Sequence, residues 1–262
     1  MSEEGERRMA GMVRRDVADG IAQLIVDHPP VNILTRAVLG ELRTHVADLS
    51  GAPDLRVLVL RGAGNHFSAG ADVGEHLPPT FRDLIPEFTA TIRALWDFPL
   101  PVIAAVRGRC LGGGFELVQP ADAIVAGASA QFGQPEIALG VFPPAACVLL
   151  PGLCGPARAA SIVLGGDTLS AREACEWGLV AQVVPDDEVD AAALALAGRW
   201  ACHSGAALRV TKRALRAGTA RPVAEALDAA GRTYVDDLMQ TRDAVEGLAA
   251  FGDKRRPVWE HR

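Results

Sequence analysis

Short apolar segments alternate with segments of helical periodicity through the first half of the chain. Between the first two apolar segments, apolar residues recur at helical spacing from 35 to 49, Thr35 suits an N-cap, and 81–96 has a similar period. The apolar segments are rich in β-branched residues and bounded by turn formers, which predicts strands at 21–27, 55–61, 101–108 and 122–127. This alternation predicts an α/β fold built from crossover units.

A second type of sequence follows Pro185. It is rich in Ala and Leu and has helical periodicity. We therefore predict a core over residues 1–190 and a helical C-terminal region over 191–262. With 262 residues and 49% hydrophobic content, the chain is long enough to bury a sizeable core.

Charge and cysteine usage exclude several classes of protein. The formal net charge of −6 gives no electrostatic footprint for nucleic acid or an anionic membrane, so neither is an expected partner. The N-terminus is charged where a signal peptide is apolar, and no segment reaches the roughly 20 apolar residues of a membrane span, which favours a cytoplasmic location. Five cysteines without a C-x-x-C pair indicate neither a disulfide framework nor a metal site.

Three consecutive glycines, Gly112 to Gly114, come directly after a predicted strand and loop. A backbone without side chains at the start of a helix can bring N–H donors against an anion. Glycines at such a place also serve tight packing or a sharp turn, and this alternative stays open. A second glycine-bearing loop, residues 62–72, could supply an opposing donor, which would complete an anion-stabilising site.

Two glutamates accompany these glycines. Glu116 lies about one helical turn after them, and Glu136 follows a short apolar and turn-forming segment. Two carboxylates held close in an apolar pocket have pKa values pushed apart, so that one can act as a base and the other as an acid. Solvated surface residues are the alternative, because a glutamate is seldom buried without a partner.

Four ordered motifs carry a resemblance to a known family. They are FSAGAD (67–72), RGRCLGGGFEL (107–117), AQFGQPEIALGVFP (130–143) and AREACEWGLVAQVVP (171–185). Together they resemble the enoyl-CoA hydratase/isomerase, or crotonase, family. The resemblance implies a spiral core of repeated ββα units, followed by a helical C-terminal region that forms homotrimers or hexamers.

The resemblance also implies the site residues and the reaction. The backbone N–H groups of Ala71 and Gly113 would form the oxyanion hole for an acyl-CoA thioester, with Glu116 activating water and Glu136 donating a proton to the α-carbon. The substrate and its coenzyme A moiety would meet Ser68, Ala69, Asp72, Gly112 and Phe142. The basic residues Lys254, Arg255 and Arg256 could reach a phosphate. No cofactor beyond the coenzyme A moiety is implied.

The presence of both acids favours addition of water across a double bond conjugated to the thioester. An enoyl-CoA isomerase and a non-catalytic acyl-CoA-binding paralogue are the alternatives. The segments HPPVNIL (28–34), FSAGADVGEH (67–76) and GVFPPAACVLLP (140–151) look most like those of cyclohexa-1,5-diene-1-carbonyl-CoA hydratases. Sequence drift without consequence for the substrate is the alternative there.

Two further features bear on the site. Pro120 cannot donate to the carbonyl of Glu116, so the helix that begins at the glycines is expected to end before it. His66 and His76 flank the second glycine-bearing loop, and we expect them to be surface or satisfied histidines because no nucleophile is paired with them.

Overall fold

The computed structural model describes residues 11–218 and 223–262. Most of the charged N-terminal segment, on which the expectation of a cytoplasmic location rests, lies outside these residues. Within them, no helix is both long enough and apolar enough to cross a membrane.

A largely parallel sheet forms the centre of the molecule. Its strand order is β1-β2-β3-β4-β6-β9, where only the β1–β2 pair is antiparallel, and a smaller sheet has the order β5-β7-β8. The strands are β1 (Val13–Ala18), β2 (Ile21–Val26), β3 (Val57–Gly62), β4 (Val102–Val106), β5 (Arg109–Leu111), β6 (Ala123–Gly127), β7 (Gln131–Gly133), β8 (Thr168–Ser170) and β9 (Gln182–Val184). The four predicted strands are β2, β3, β4 and β6. Their continuous apolar runs are typical of parallel strands covered on both faces.

Helices pack on the sheet and extend beyond it. Thr35 caps the first of them by accepting a hydrogen bond from the Val38 N–H at 3.2 Å, as its sequence position predicts. The helices are α1 (Arg36–Ser50), α2 (Phe81–Trp96), α3 (Gly113–Val118), α4 (Pro144–Cys154), α5 (Pro156–Gly165), α6 (Ala171–Glu176), α7 (Val189–Ala201), α8 (Gly205–Gly218), α9 (Val223–Arg232) and α10 (Arg242–Gly252). The helices expected at 35–49 and 81–96 are α1 and α2.

Both faces of the sheet are buried. One face shares a large apolar core with α1 and α2, and α7 covers the other face, where Val189 and Ala193 pack with Val57 and Ile103. The predicted C-terminal region thus begins with a helix that belongs to the packing of the sheet. The division of the chain at residue 190 stays a prediction.

Helix α8 is tied to the loop behind α3. The Lys212 ammonium is 2.7 Å from the carboxylate of Asp122 and donates to the Leu100 carbonyl at 2.8 Å. Arg216 donates to the Pro120 carbonyl at 2.6 Å and to Asp122 at 2.9 Å. Because Lys212 is buried, these bonds satisfy a charge that would be costly alone, and they fix the chain immediately after α3.

Candidate functional site

Two of the three glycines are needed because other groups pack against their backbone. A Cβ on Gly112 would lie 2.6 Å from Glu136 Oε1, and Gly112 has a φ of +53°, which favours glycine. A Cβ on Gly114 would lie 2.7 Å from the Ser68 carbonyl oxygen. The glycines therefore serve tight packing, which was one alternative from the sequence, and they also let the carboxylate of Glu136 approach the backbone.

The backbone donors of Ala71 and Gly113 lie close together. A Cβ placed on Gly113 would be 3.2 Å from the Ala71 nitrogen. Across residues 11–218 and 223–262, neither N–H has an acceptor. Hydrogen bonds on either side of Ala71, from Leu34 N–H to the Gly70 carbonyl and from Asp72 N–H to the Leu34 carbonyl, hold the loop in place. Two free, neighbouring donors on a fixed backbone can stabilise an oxyanion.

Glu116 is buried and held by main-chain donors. Its side chain lies in the core, and its Oε1 accepts from the Ala145 N–H at 2.7 Å and the Ala146 N–H at 3.1 Å. These residues follow Pro144, the first residue of α4, so the free N–H groups of a helix start meet the carboxylate. Burial raises the pKa of Glu116 to about 7, with the charge of Glu136 adding to the rise and the two N–H groups opposing it.

The carbonyl of Glu116 has a hydrogen-bond donor although Pro120 cannot supply one. Helix α3 ends at Val118, as expected, and the Gln119 N–H donates to the Glu116 carbonyl at 3.3 Å. The segment at Pro144 starts the helix whose N–H groups hold Glu116, a role that its sequence did not indicate.

Glu136 lies half-buried on a short 3₁₀ helix, Pro135–Leu139, which follows β7. Burial raises its pKa, and the positive charge of His76 opposes that rise. The charge of Glu136 in turn contributes to the raised pKa of Glu116. The two predicted acids are therefore close enough to interact electrostatically, as a pair of acid and base groups would require.

Two buried amides support Glu136. Gln134 is fully buried, and in the orientation that satisfies its neighbours its Nε2 donates to Glu136 Oε2 at 3.1 Å and to the Gly112 carbonyl at 3.3 Å. Its Oε1 accepts from Gln119 Nε2 at 3.1 Å. Sequence reasoning missed both glutamines, since a lone amide in an apolar segment gives no signal of its partner.

His76 and Cys147 were also missed as neighbours of the acids. His76 Nδ1 lies 2.7 Å from the Asp72 carbonyl oxygen, which makes it a satisfied histidine, and its charge also reaches Glu136. Cys147 is an exposed residue on α4, but partial desolvation of its thiol and the charges of both glutamates raise its pKa. Its position in the sequence, three residues after Pro144, could have placed it in the first turn of a helix that begins there. His66 accepts a bond from the Arg109 N–H at 3.1 Å, as expected for a satisfied histidine.

The residues expected to meet coenzyme A differ in their surroundings. Ser68 is fully buried, and its N–H, carbonyl and hydroxyl bond within the fold, so it supports the Ala71 loop, and its expected contact with the substrate stays a prediction. Ala69 and Asp72 are partly exposed, and a coenzyme A contact there stays a prediction. Arg255 forms a two-point ion pair with Glu246 at 2.6 and 2.8 Å, so its charge already has a partner, while Lys254 and Arg256 are exposed.

An exposed apolar surface lies beyond Glu136 and along the start of α4. We call it the apolar rim, and it consists of Leu139, Val141, Phe142 and Val148. Phe142 is 64% exposed, which is unusual for a large aromatic side chain without a partner. In the described part of the chain, no group of three or more His, Cys, Asp or Glu residues is arranged to hold a metal ion.

Comparison with known proteins agrees with this geometry. The sequence model described as enoyl-CoA hydratase/isomerase matches residues 16–262. The chain is 37% identical to a cyclohexa-1,5-dienecarbonyl-CoA hydratase of Thauera aromatica, covering 92% of this chain and 93% of that protein. It is also 37% identical to a probable enoyl-CoA hydratase of Mycobacterium bovis, covering 96% and 98%.

The fold is likewise shared with solved structures. An enoyl-CoA hydratase from Bacillus anthracis superposes with a TM-score of 0.92 at 32% identity, covering 96% of this chain and 100% of that one. The expected α/β crotonase-like fold with a helical C-terminal region is thus confirmed.

Proposed function

The chain belongs to the enoyl-CoA hydratase/isomerase family, and we propose that it adds water across a double bond conjugated to a coenzyme A thioester. One observation carries this proposal. Two N–H groups without an acceptor among the described residues, those of Ala71 and Gly113, lie in the same site as two carboxylates of raised pKa, Glu116 and Glu136. An anion-stabilising pair beside an acid and a base matches a reaction that forms an enolate and moves two protons.

In the proposed reaction, the thioester oxygen binds between the Ala71 and Gly113 N–H groups. Ionised Glu116 takes a proton from water as the water oxygen attacks the β-carbon, and the electron pair of the double bond moves to the thioester as an enolate. Protonated Glu136 then gives its proton to the α-carbon. The pair of acids holds one proton before and after this step, first on Glu136 and then on Glu116, and its transfer from Glu116 back to Glu136 restores the starting state. The coenzyme A moiety of the substrate is the only coenzyme in this scheme.

The presence of both acids supports hydration more strongly than isomerisation. Moving a double bond needs one group that removes a proton and returns it, whereas adding water needs a base for water and an acid for carbon. The buried, doubly hydrogen-bonded Glu116 would have no task in simple proton shuttling by Glu136.

For the acyl group, we propose a cyclic dienoyl thioester. The apolar rim offers an aromatic side chain, Phe142, and a stiff Pro143–Pro144 segment beside the acids. A relative at 37% identity carries the name of a cyclohexa-1,5-dienecarbonyl-CoA hydratase, although another at equal identity is named a probable enoyl-CoA hydratase. The linear substrate is therefore the other arm of the test.

The test follows the absorbance of the conjugated thioester in the presence of the purified protein. We expect loss of absorbance and uptake of ¹⁸O from labelled water, with a higher kcat/KM for cyclohexa-1,5-diene-1-carbonyl-CoA than for crotonyl-CoA. Isomerisation without uptake of ¹⁸O would contradict hydration. A preference for crotonyl-CoA would contradict only the cyclic acyl group.

We also propose that the helical C-terminal region assembles the chain into trimers or hexamers. Large apolar side chains are exposed along this region at Leu215, Leu227, Tyr234, Val235, Val245, Leu248, Phe251 and Val258. Exposed apolar surface of this extent is typical of a protein interface. Light scattering coupled to size exclusion would give a monomer mass if the proposal is wrong.

A further inference from the structure

Gln119 is bonded to the main chain of Glu116 and to Gln134, the amide beside Glu136, and among the described residues it is not bonded to either carboxylate. Its backbone N–H donates to the Glu116 carbonyl, and its side-chain Nε2 donates to Gln134 Oε1 at 3.1 Å. Gln119 is 2% exposed and Gln134 is fully buried. Buried amides are costly unless bonded, so two of them in contact beside Glu136 require an explanation.

The direction of the Gln134 amide decides what Glu136 meets. With Nε2 toward Glu136, the amide donates to the carboxylate; with Oε1 toward Glu136, it would repel the carboxylate and could accept only from the protonated acid. The two ends of an amide have almost the same shape, so packing alone does not select between these orientations. On the side of Glu136 the Gly112 carbonyl is a second acceptor that favours Nε2, and on the far side Gln119 is the group that can donate to Oε1.

We propose that Gln119 is a positioning residue that, together with the Gly112 carbonyl, holds the direction of the Gln134 amide and thereby supports Glu136 Oε2. Its Nε2 donates to Gln134 Oε1 on the side away from Glu136, while its own Oε1 has no partner among the described residues. The Gln119 backbone is itself held, because Arg216 bonds the carbonyl of the next residue, Pro120, at 2.6 Å. The kinetic consequence of this arrangement rests on the proposed function, whereas the arrangement itself does not.

The test removes the Gln119 amide with Gln119→Met, which keeps a similar length and volume. We follow the protonated-carboxyl infrared band of Glu136, assigned by its loss in Glu136→Gln, across pH. We expect the pKa of Glu136 to rise in Gln119→Met, because its carboxylate loses a fixed donor, and kcat to fall roughly fivefold at similar KM, as expected for one hydrogen bond. The other titratable groups near Glu136 are Glu116, His76 and Cys147, so the band is followed in variants that retain all three.

A double-mutant cycle separates positioning from a general structural effect. In a Gln134→Met background, Gln119→Met should produce no further change in the Glu136 titration, because the group through which it acts is gone. Gln23→Met is the control. Gln23 is a partly buried glutamine bonded to Arg61, and its loss should leave the Glu136 band unchanged.

Three results would overturn the proposal. These are an unchanged Glu136 titration in folded Gln119→Met, a shift that persists in the Gln134→Met background, and an equal shift in the Gln23→Met control. If Gln119→Met does not fold, Gln119→Glu replaces it; a carboxylate there attracts the Gln134 NH₂ group, so an unchanged Glu136 pKa would again overturn the proposal. If the infrared shifts occur but the wild-type protein hydrates neither thioester, the positioning stands and the proposed function fails.

Discussion

The carboxylate of Glu136 rests against the backbone of Gly112, so closely that a Cβ on Gly112 would lie 2.6 Å from Glu136 Oε1. We expect Gly112→Ala to displace Glu136 and to lower kcat by about 10²-fold, since a misplacement near 1 Å has such an effect. Gly64→Ala is the matched control, because Gly64 also has a positive φ, of +70°, and a Cβ there meets nothing within 4 Å. Steady-state kinetics of both variants gives the comparison, and equal activities would show that the Gly112 contact is unimportant.

Removal of either acid should greatly slow the hydration. For Glu116→Gln and for Glu136→Gln we expect kcat to fall by roughly 10²–10⁴-fold, the usual contribution of a positioned acid or base. Glu176→Gln, which removes a glutamate paired with Arg172 on the surface, serves as the control. If one of the two site variants kept wild-type kcat, that acid would have no part in the reaction.

The pKa of Glu116 predicts the acid side of the pH profile. Burial raises this pKa to about 7, and the proposed base must be ionised, so kcat/KM should fall as the pH decreases through about 7. Because the two acids interact, the measured value belongs to the pair. Rates measured across pH with a thioester substrate test this, and a profile that stays flat down to pH values near 5 would exclude ionised Glu116 as the base.

Ionisation of Glu116, which the proposed reaction needs, should lower the folding stability. Its folded pKa is raised from 4.5 to about 7, so the folded state is favoured at low pH and loses stability as the pH rises through that interval. Glu116→Gln retains an acceptor for the two N–H groups without the buried charge. Its gain in free energy of unfolding over the wild type should therefore grow from pH 4.5 to about 7 and reach up to about 3 kcal/mol. Denaturant titrations of both proteins at several pH values would reveal a gain of the wrong sign.

Phe142 should affect the choice of acyl group more than the chemistry. We expect Phe142→Ala to lower kcat/KM roughly tenfold for the cyclic dienoyl thioester and less for crotonyl-CoA, because apolar contact with a ring is lost. Val17→Ala, on the exposed face of β1, is the control for loss of a surface apolar group. Equal losses for both substrates would argue against a role in selecting the ring.

The sequence predicts the strands, the first two helices and the acids because each leaves a pattern of residue types. Strands β3 and β4 are apolar runs, and α1 has a helical period with a capping threonine. The position of the two acids beside the glycines follows from motif resemblance. These features depend on residues near in sequence or on a shared pattern.

The remaining parts of the site depend on contacts that leave no such pattern. The donors to Glu116 are main-chain N–H groups of Ala145 and Ala146, and the residue type alanine does not indicate that its N–H is available as a donor. The Gln119–Gln134 contact joins two segments through amides whose types alone name no partner. Pro120 cannot donate to the Glu116 carbonyl, and the bond of 3.3 Å from the Gln119 N–H that takes its place is not indicated by residue types.

Because Glu116 is held by the main chain of α4, side chains on the outward face of this helix can change without disturbing the acid. The N–H groups at 145 and 146 are present with any residue type except proline, although Ala146 is fully buried and has to stay small, whereas Val148 is 76% exposed. Under the proposed reaction, a library restricted to the outward positions would vary the acyl group that is accepted while leaving the proposed base unaltered.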